Sequence, residues 1–98
     1  MHQQVTFRGL DPVSSVVDEV SKQAAKLNAR LPALDNCEVV VEAGGRHRAM
    51  GYGHCRVVVR LWGAEPSGLL CSSVSDAHVR NLRPSVHRAF EAVRRQIA

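Results

Sequence analysis

Apolar and charged residues alternate along residues 37–43 and again along residues 55–61. Both segments are predicted to be β-strands, because side chains point to opposite faces of a strand in turn. Paired antiparallel with residue numbers that sum to 98, they place apolar residues together on one face. The other face then carries Val40 with Val58 and two pairs of opposite charge, Glu42 with Arg56 and Glu38 with Arg60. One register satisfies both faces, so the pattern predicts this hairpin.

A helix is predicted to begin at Asp11 and Pro12, since aspartate accepts a hydrogen bond at an N-cap and proline suits the first helical position. Apolar residues then recur at spacings of three and four until Pro32 ends the helix. This apolar stripe consists of Val13, Val16, Val17, Val20, Ala24, Leu27 and Leu31. On the outer side, a basic ridge recurs every four residues: Lys22, Lys26 and Arg30.

The remaining elements are two further strands and a second helix. Residues 3–8 and 69–74 are predicted strands, and residues 75–78 are predicted to connect the last strand to the helix. The second helix should begin near Asn81 or Leu82, because Pro84 is tolerated only in the first turn. Its apolar stripe is Leu82, Val86, Ala89, Phe90, Val93 and Ile97, with Arg88, Glu91 and Arg95 opposite and Arg80, Arg83, His87 and Arg94 on one flank.

The order of elements is β-α-β-β-β-α, which predicts an α+β two-layer sandwich. Two helices with one apolar stripe each would cover one face of a four-stranded mixed sheet. The first two strands would run parallel, because a helix connects them, and the other neighbours antiparallel. The basic surfaces of both helices would then lie side by side.

Length and composition indicate one domain that spans residues 1–98. No apolar run reaches the roughly 20 residues of a membrane span, and no signal segment opens the chain, so a cytoplasmic location and no membrane partner are expected. The cysteines are three in number and lack Cys-x-x-Cys spacing. They fall in predicted strands, which favours buried reduced thiols over a disulfide or a metal role.

The net charge of +4 comes entirely from residues 80–98, where five arginines face Glu91 alone. A concentrated basic element favours a polyanionic partner, although a solvated cationic helix explains the composition equally well. The loop between the hairpin strands is rich in glycine and carries Arg46, His47 and Arg48. Its glycine spacing matches no nucleotide-binding fingerprint, and solvated loop or nucleic-acid contact are both consistent with it.

The sequence offers little support for catalysis. No motif joins a serine or a cysteine to a general base, so no catalytic residue, cofactor or small-molecule substrate is predicted. The five histidines include His54 beside Cys55, but they follow no structural-zinc spacing, so no metal site is predicted.

Three segments resemble the ribosome hibernation promoting factor family, bacterial proteins also described as ribosome-associated inhibitors and sigma-factor modulation proteins. They are Val-Thr-Phe-Arg-Gly-Leu-Asp-Pro at 5–12, Cys-Glu-Val-Val-Val-Glu-Ala at 37–43 with the Arg/His loop after it, and His-Arg-Ala-Phe-Glu-Ala-Val-Arg-Arg-Gln at 87–96. The resemblance implies a β-α-β-β-β-α fold similar to a double-stranded-RNA-binding domain. It also implies binding in the decoding region of the small ribosomal subunit, which silences translation in starved cells.

By this resemblance, basic residues on the helices would bind ribosomal RNA. The implied positions are Lys22, Lys26 and Arg30 on the first helix, Arg88, Arg94 and Arg95 on the second, and Arg46, His47 and Arg48 in the loop. The sequence departs from the family at residues 81–84, and the basic tail of the family has no counterpart after the second helix. Ribosome dimerisation through such a tail is therefore not expected.

Two other functions stay open on the residues alone. The first is a protein-interaction module that retains the fold and pairs an edge strand with a partner or, as a weak homodimer, with a second copy. The second is a small metal or redox protein, which the cysteine and histidine spacing favours least.

Overall fold

The computed structural model describes residues 1–43, 53–63 and 68–97. These residues form four strands, two helices and one short 3₁₀ turn. The elements are β1 (His2–Arg8), α1 (Ser14–Arg30), β2 (Leu34–Ala43), β3 (His54–Gly63), β4 (Gly68–His78), the 3₁₀ turn Val79–Asn81 and α2 (Leu82–Ile97). The predicted α+β class and element order are confirmed.

The four strands form one mixed sheet in the order β1-β2-β3-β4. β1 and β2 are parallel, and β2 with β3 and β3 with β4 are antiparallel, as predicted. The predicted hairpin register is also correct. Cys37 lies opposite Leu61, Ala43 lies opposite Cys55, and all residues between them pair as predicted. On the outer face, the Arg60 guanidinium donates to the Glu38 carboxylate at 3.0 Å. Burial of the valines determines the register, and the pairs of opposite charge on the outer face are consistent with it.

Both helices pack on the same face of the sheet and close one hydrophobic core. The inward side chains of β2 and β3 are fully buried valines, cysteines and one leucine, and they contact the apolar stripes of α1 and α2. The sheet contributes Leu34, Cys37, Val39, Val41, Cys55, Val57, Val59, Leu61 and Cys71, and the helices contribute Val16, Val20, Ala24, Leu27, Leu82, Val86, Ala89, Phe90 and Val93. Full burial of each large apolar side chain stabilises the fold by about 1.5–3 kcal/mol.

All three cysteines are buried, as the strand assignment predicted. Burial raises the pKa of the Cys37 thiol to about 12, and the neighbouring Cys71 adds to this effect. Burial also raises the pKa values of Cys55 and Cys71. All three thiols therefore stay protonated and unreactive near neutral pH.

The predicted start of α1 is wrong by two residues, since Asp11 was expected at the N-cap and Pro12 at the first helical position. The helix begins at Ser14, and Val13 occupies the N-cap without a side-chain hydrogen bond. The backbone carbonyl of Val13 accepts from Val16 and Val17 at 3.1 and 3.2 Å. Val13 also packs against the core. Burial of Val13 therefore determines where the helix starts, and it outweighs the preference of Asp11 for the N-cap position.

The predicted stripe of α1 contains one error, because Val17 is 39% exposed. Glu19 and Gln23 are buried in its place, at 4% and 5% exposure. The buried face is thus rotated toward the side on which α1 meets α2. Polar side chains occupy that side, which hydrophobic periodicity alone does not detect.

The last strand is longer than predicted, since β4 continues through residues 75–78. Its backbone pairs with β3 as far as His54 opposite His78. Asp76 supports this extension, because its carboxylate lies 3.1 Å from the His54 ring on the neighbouring strand. The polar composition suggested a connector, but pairing with a long β3 overrides it.

The start of α2 at Leu82, with Pro84 in the first turn, is confirmed. The Arg46-His47-Arg48 loop and most of the predicted turn between β3 and β4 lie outside the described residues.

Candidate nucleic-acid interface

A groove runs between α1 and α2 on the surface of the helical layer. Near one end, Glu19 of α1 lies 3.2 Å from Arg83 in the first turn of α2. Near the other end, Leu31, just after α1, and Ile97, the last residue of α2, line the same cavity. The two helices therefore run in the same direction, and their facing side chains form the groove walls.

Three neighbouring cavities make up the groove, and we name them first, central and last in the order of both helices. The first, about 330 Å³, is lined by Glu19, Lys22, Arg83, Pro84, His87 and Arg88. The central cavity, about 360 Å³, is lined by Gln23, Lys26, Leu27, Ala29, Arg30, Phe90, Glu91 and Arg94. The last cavity, about 190 Å³, is lined by Leu27, Arg30, Leu31, Arg94 and Ile97.

The groove brings together most of the helix cations that the sequence singled out. Lys22 and Arg88 meet at the first cavity, and Lys26 and Arg30 face Arg94 across the central one. Arg95 is exposed on α2 but lines none of these three cavities. Arg46, His47 and Arg48 lie outside the described residues, so the structure does not place them.

A buried carboxylate lies at the floor of the first cavity. The Glu19 side chain accepts a hydrogen bond from the Gln23 amide at 2.7 Å and another from the Arg83 guanidinium at 3.2 Å. The His87 ring nitrogen Nδ1 lies 3.4 Å from the same carboxylate and 3.0 Å from the Gln23 amide nitrogen. These contacts tie α1 to the first two turns of α2.

Burial acts to raise the pKa of the Glu19 carboxyl, but the net shift is downward. Three hydrogen-bond partners and one nearby cation outweigh burial: Gln23, Arg83, His87 and Lys22. The carboxylate is therefore ionised near neutral pH and neutralises part of the positive charge at the first cavity.

One more carboxylate lies on the groove wall. Glu91 accepts a hydrogen bond from Arg94, three residues later on the same helix, and lies 3.9 Å from the His87 ring. Arg94 is thus held at the rim of the central cavity. A guanidinium in such a pair keeps free N–H groups that can still bind phosphate.

Several helix cations have no carboxylate partner. Within residues 1–43, 53–63 and 68–97, the salt bridges do not include Lys22, Lys26, Arg30, Arg88 or Arg95. The outer face of the sheet differs, because Arg60 pairs there with Glu38, and His54 lies beside Asp76. The helical face therefore carries five cations without a carboxylate partner among the described residues, which suits a polyanion.

Sequence reasoning placed Arg83 and His87 on a flank of α2 and did not assign them to the site. It missed Glu19 and Gln23 altogether. The only available signal was their spacing of four beside the apolar stripe, which places both on one side of α1. That spacing does not show that a second helix buries them.

The part of the chain that the structure describes contains no group of three or more potential ligands able to hold a metal ion. Over the same residues, no helix is both long enough and apolar enough to cross a membrane.

The architecture defines a class: a four-stranded mixed sheet with two parallel helices on one face and a cationic groove between them. No family model and no curated protein matches the chain. Two solved structures share the fold over nearly their whole length. A ribosomal subunit interface protein from Coxiella burnetii superposes with a TM-score of 0.72 at 11% identity, covering 98% of this chain and 92% of that one. The N-terminal domain of Protein Y from Thermus thermophilus gives 0.66 at 20% identity, covering 99% and 96%.

At these identities the similarity establishes the fold, and it confirms the architecture that the sequence resemblance implied.

Proposed function

We propose that this protein is a ribosome-associated translation inhibitor of the hibernation-factor family. It binds ribosomal RNA in the decoding region of the small subunit through the groove between α1 and α2, and it blocks mRNA and tRNA there. It acts without catalysis, in the cytoplasm of starved bacterial cells. The sequence motifs at residues 5–12, 37–43 and 87–96 support this assignment, as do two structural relatives named as a ribosomal subunit interface protein and Protein Y.

The observation that carries the proposal is the set of unpaired cations on the helical face. Lys22, Lys26 and Arg30 face the groove from α1, and Arg88 faces it from α2. Arg94 also lines the groove, but it is paired with Glu91. Cations without carboxylate partners are available to replace the counterions of RNA phosphates, which is the main source of affinity for nucleic acid. Shape and backbone contacts, rather than base edges, suit recognition of structured RNA.

Co-sedimentation of the purified protein with isolated small ribosomal subunits tests this proposal. We expect binding at low salt and its loss at high salt. The double variant Arg88→Glu with Arg95→Glu should fold and no longer bind. Absence of wild-type binding at low salt would refute the proposal, and binding by the folded double variant would exclude this face of α2.

A matched pair of single variants separates the groove from total charge. Lys26→Glu reverses a cation in the central cavity, whereas Arg80→Glu makes the same change of charge at an exposed position outside the three cavities. We expect Lys26→Glu to weaken co-sedimentation much more than Arg80→Glu. Equal losses would show that net charge, not the groove, determines binding.

A second candidate function is a protein-interaction module that uses the edge of the sheet. β4 is an edge strand, and Leu69, Leu70 and Val74 on it are exposed. Pairing of this edge with a second copy or another strand would cover them. Analytical ultracentrifugation distinguishes the candidates, because self-association of this kind would persist at high salt.

A further inference from the structure

The central cavity combines an apolar floor with a cationic rim. Leu27 and Phe90 form the floor, and the small side chain of Ala29 leaves one wall open. Its volume of about 360 Å³ lies in the range of small-ligand sites. Bulk electrostatic attraction to RNA does not require an apolar floor, so this feature indicates a more specific contact.

The rim carries the charges that a phosphate group requires. Lys26 and Arg30 reach it from α1 without a carboxylate partner among the described residues. Arg94 reaches it from α2, oriented by its bond to Glu91. Three cations around an apolar floor match a nucleotide, which joins a flat base to an anionic phosphate.

One buried polar group in the cavity has unused hydrogen-bonding capacity. Gln23 is only 5% exposed, and its amide nitrogen donates to Glu19 at 2.7 Å. That bond fixes the amide orientation. Within the part of the chain that the structure describes, no donor bonds to the amide oxygen of Gln23. Because Gln23 lines the cavity, this oxygen is free to accept a hydrogen bond from a ligand that brings a donor.

We propose that the central cavity is a pocket for a single unstacked RNA nucleotide that carries an exocyclic amino group. The base lies against Leu27 and Ala29, its amino group donates to the amide oxygen of Gln23, and the phosphate contacts Lys26 and Arg30. This assignment rests on the proposed function and adds to it a base-sensitive contact. Cytosine satisfies Gln23, whereas uracil presents a carbonyl oxygen at the same ring position and leaves the acceptor unpaired.

Titration of the ¹⁵N-labelled full chain with CMP, UMP and inorganic phosphate, followed by NMR, tests the pocket. We expect CMP to shift the side-chain amide signal of Gln23 and the backbone signal of Ala29. We expect UMP to bind about fivefold more weakly, the value of roughly one hydrogen bond. Inorganic phosphate should shift signals around Lys26 and Arg30 only. CMP shifts identical to those from phosphate would overturn the pocket, and equal affinity for CMP and UMP would overturn the role of Gln23.

Ala29→Phe fills the cavity without a change of charge, and Ala25→Phe places the same side chain one turn earlier, at an exposed position outside the three cavities. Loss of the CMP shifts in the first variant alone is expected, and CMP binding by a folded Ala29→Phe protein would refute the site.

The two proposals fail separately. Wild-type protein that binds CMP but does not co-sediment with small subunits would refute the ribosome assignment alone, and the reverse result would refute the nucleotide pocket alone.

Discussion

The Glu19 carboxylate of α1 and the Arg83 guanidinium of α2 lie 3.2 Å apart, but solvent reaches them very unequally. The side chain of Glu19 is 4% exposed and that of Arg83 is 62% exposed. Solvent screens the charge attraction of such a pair, so its direct contribution is modest. The buried member still needs hydrogen bonds, and it receives them from both helices.

Replacement of Glu19 by alanine should therefore lower the free energy of unfolding by about 1–3 kcal/mol. The variant removes the carboxylate that accepts from the buried Gln23 amide at 2.7 Å and from Arg83 at 3.2 Å, and it opens space between the helices. Urea denaturation followed by circular dichroism measures the effect. Asp18→Ala is the control, because its exposed neighbouring carboxylate should change stability by no more than about 0.5 kcal/mol. Equal effects of the two substitutions would contradict a structural role for Glu19.

The lowered pKa of Glu19 predicts a specific pH dependence. Since the folded-state pKa lies below the ordinary value, the carboxylate stabilises the fold above that value, and this contribution is lost as pH falls through the folded-state pKa. The stability difference between wild type and Glu19→Gln should thus be largest near neutral pH and shrink in the acid range. Urea midpoints of both proteins across that range test it. If the stability difference between the two proteins grew on acidification, the pKa of Glu19 in the folded state would be raised and not lowered.

Gly9 should be irreplaceable in the turn after β1. Its φ is +78°, and a Cβ atom there would lie 2.0 Å from the backbone carbonyl oxygen of Ala43. Gly9→Ala is expected to cost at least about 1–2 kcal/mol from the left-handed backbone alone, and the clash adds to this. Gly68→Ala is the matched control, because nothing lies within 4 Å of a Cβ atom there. Thermal unfolding should separate the two variants clearly.

Removal of one groove cation should change the salt dependence of RNA binding. Loss of a single phosphate contact in Lys26→Gln reduces the slope of log affinity against log salt by about 0.7–0.9. Arg80→Gln, at an exposed site outside the groove, should leave the slope at the wild-type value. Filter binding of small-subunit RNA at several salt concentrations gives both slopes. An unchanged slope for Lys26→Gln would indicate that this residue makes no phosphate contact.

The register of the hairpin of β2 and β3 could be predicted because its information is local, although both strands extend beyond the predicted residues 37–43 and 55–61. Alternating valines and opposite charges at Glu38 and Arg60 specify one register, and no distant element changes it. The position of Glu19 could not be predicted in the same way. Its partner Arg83 is 64 residues away, so burial of this carboxylate depends on how two helices meet on the sheet.

The candidate site was predictable in part for the same reason. Helical spacing identified Lys22, Lys26 and Arg30 as one ridge, and the structure places all three along the groove. The cavity around Gln23 and Ala29 was not predictable, because its shape depends on the distance between two helices. The length of β4 was also not predictable from local sequence. Its last residues are polar, and they form strand only because β3 is long enough to pair with them, as Asp76 does beside His54.

The parallel arrangement of α1 and α2 also gives the groove an electrical direction. Their backbone dipoles point the same way, so both positive ends adjoin the first cavity and both negative ends adjoin the last. Glu19 near one end, and Arg30 and Arg94 near the other, oppose these partial charges. A polyanion in the groove would therefore meet a different electrostatic field at each end of it.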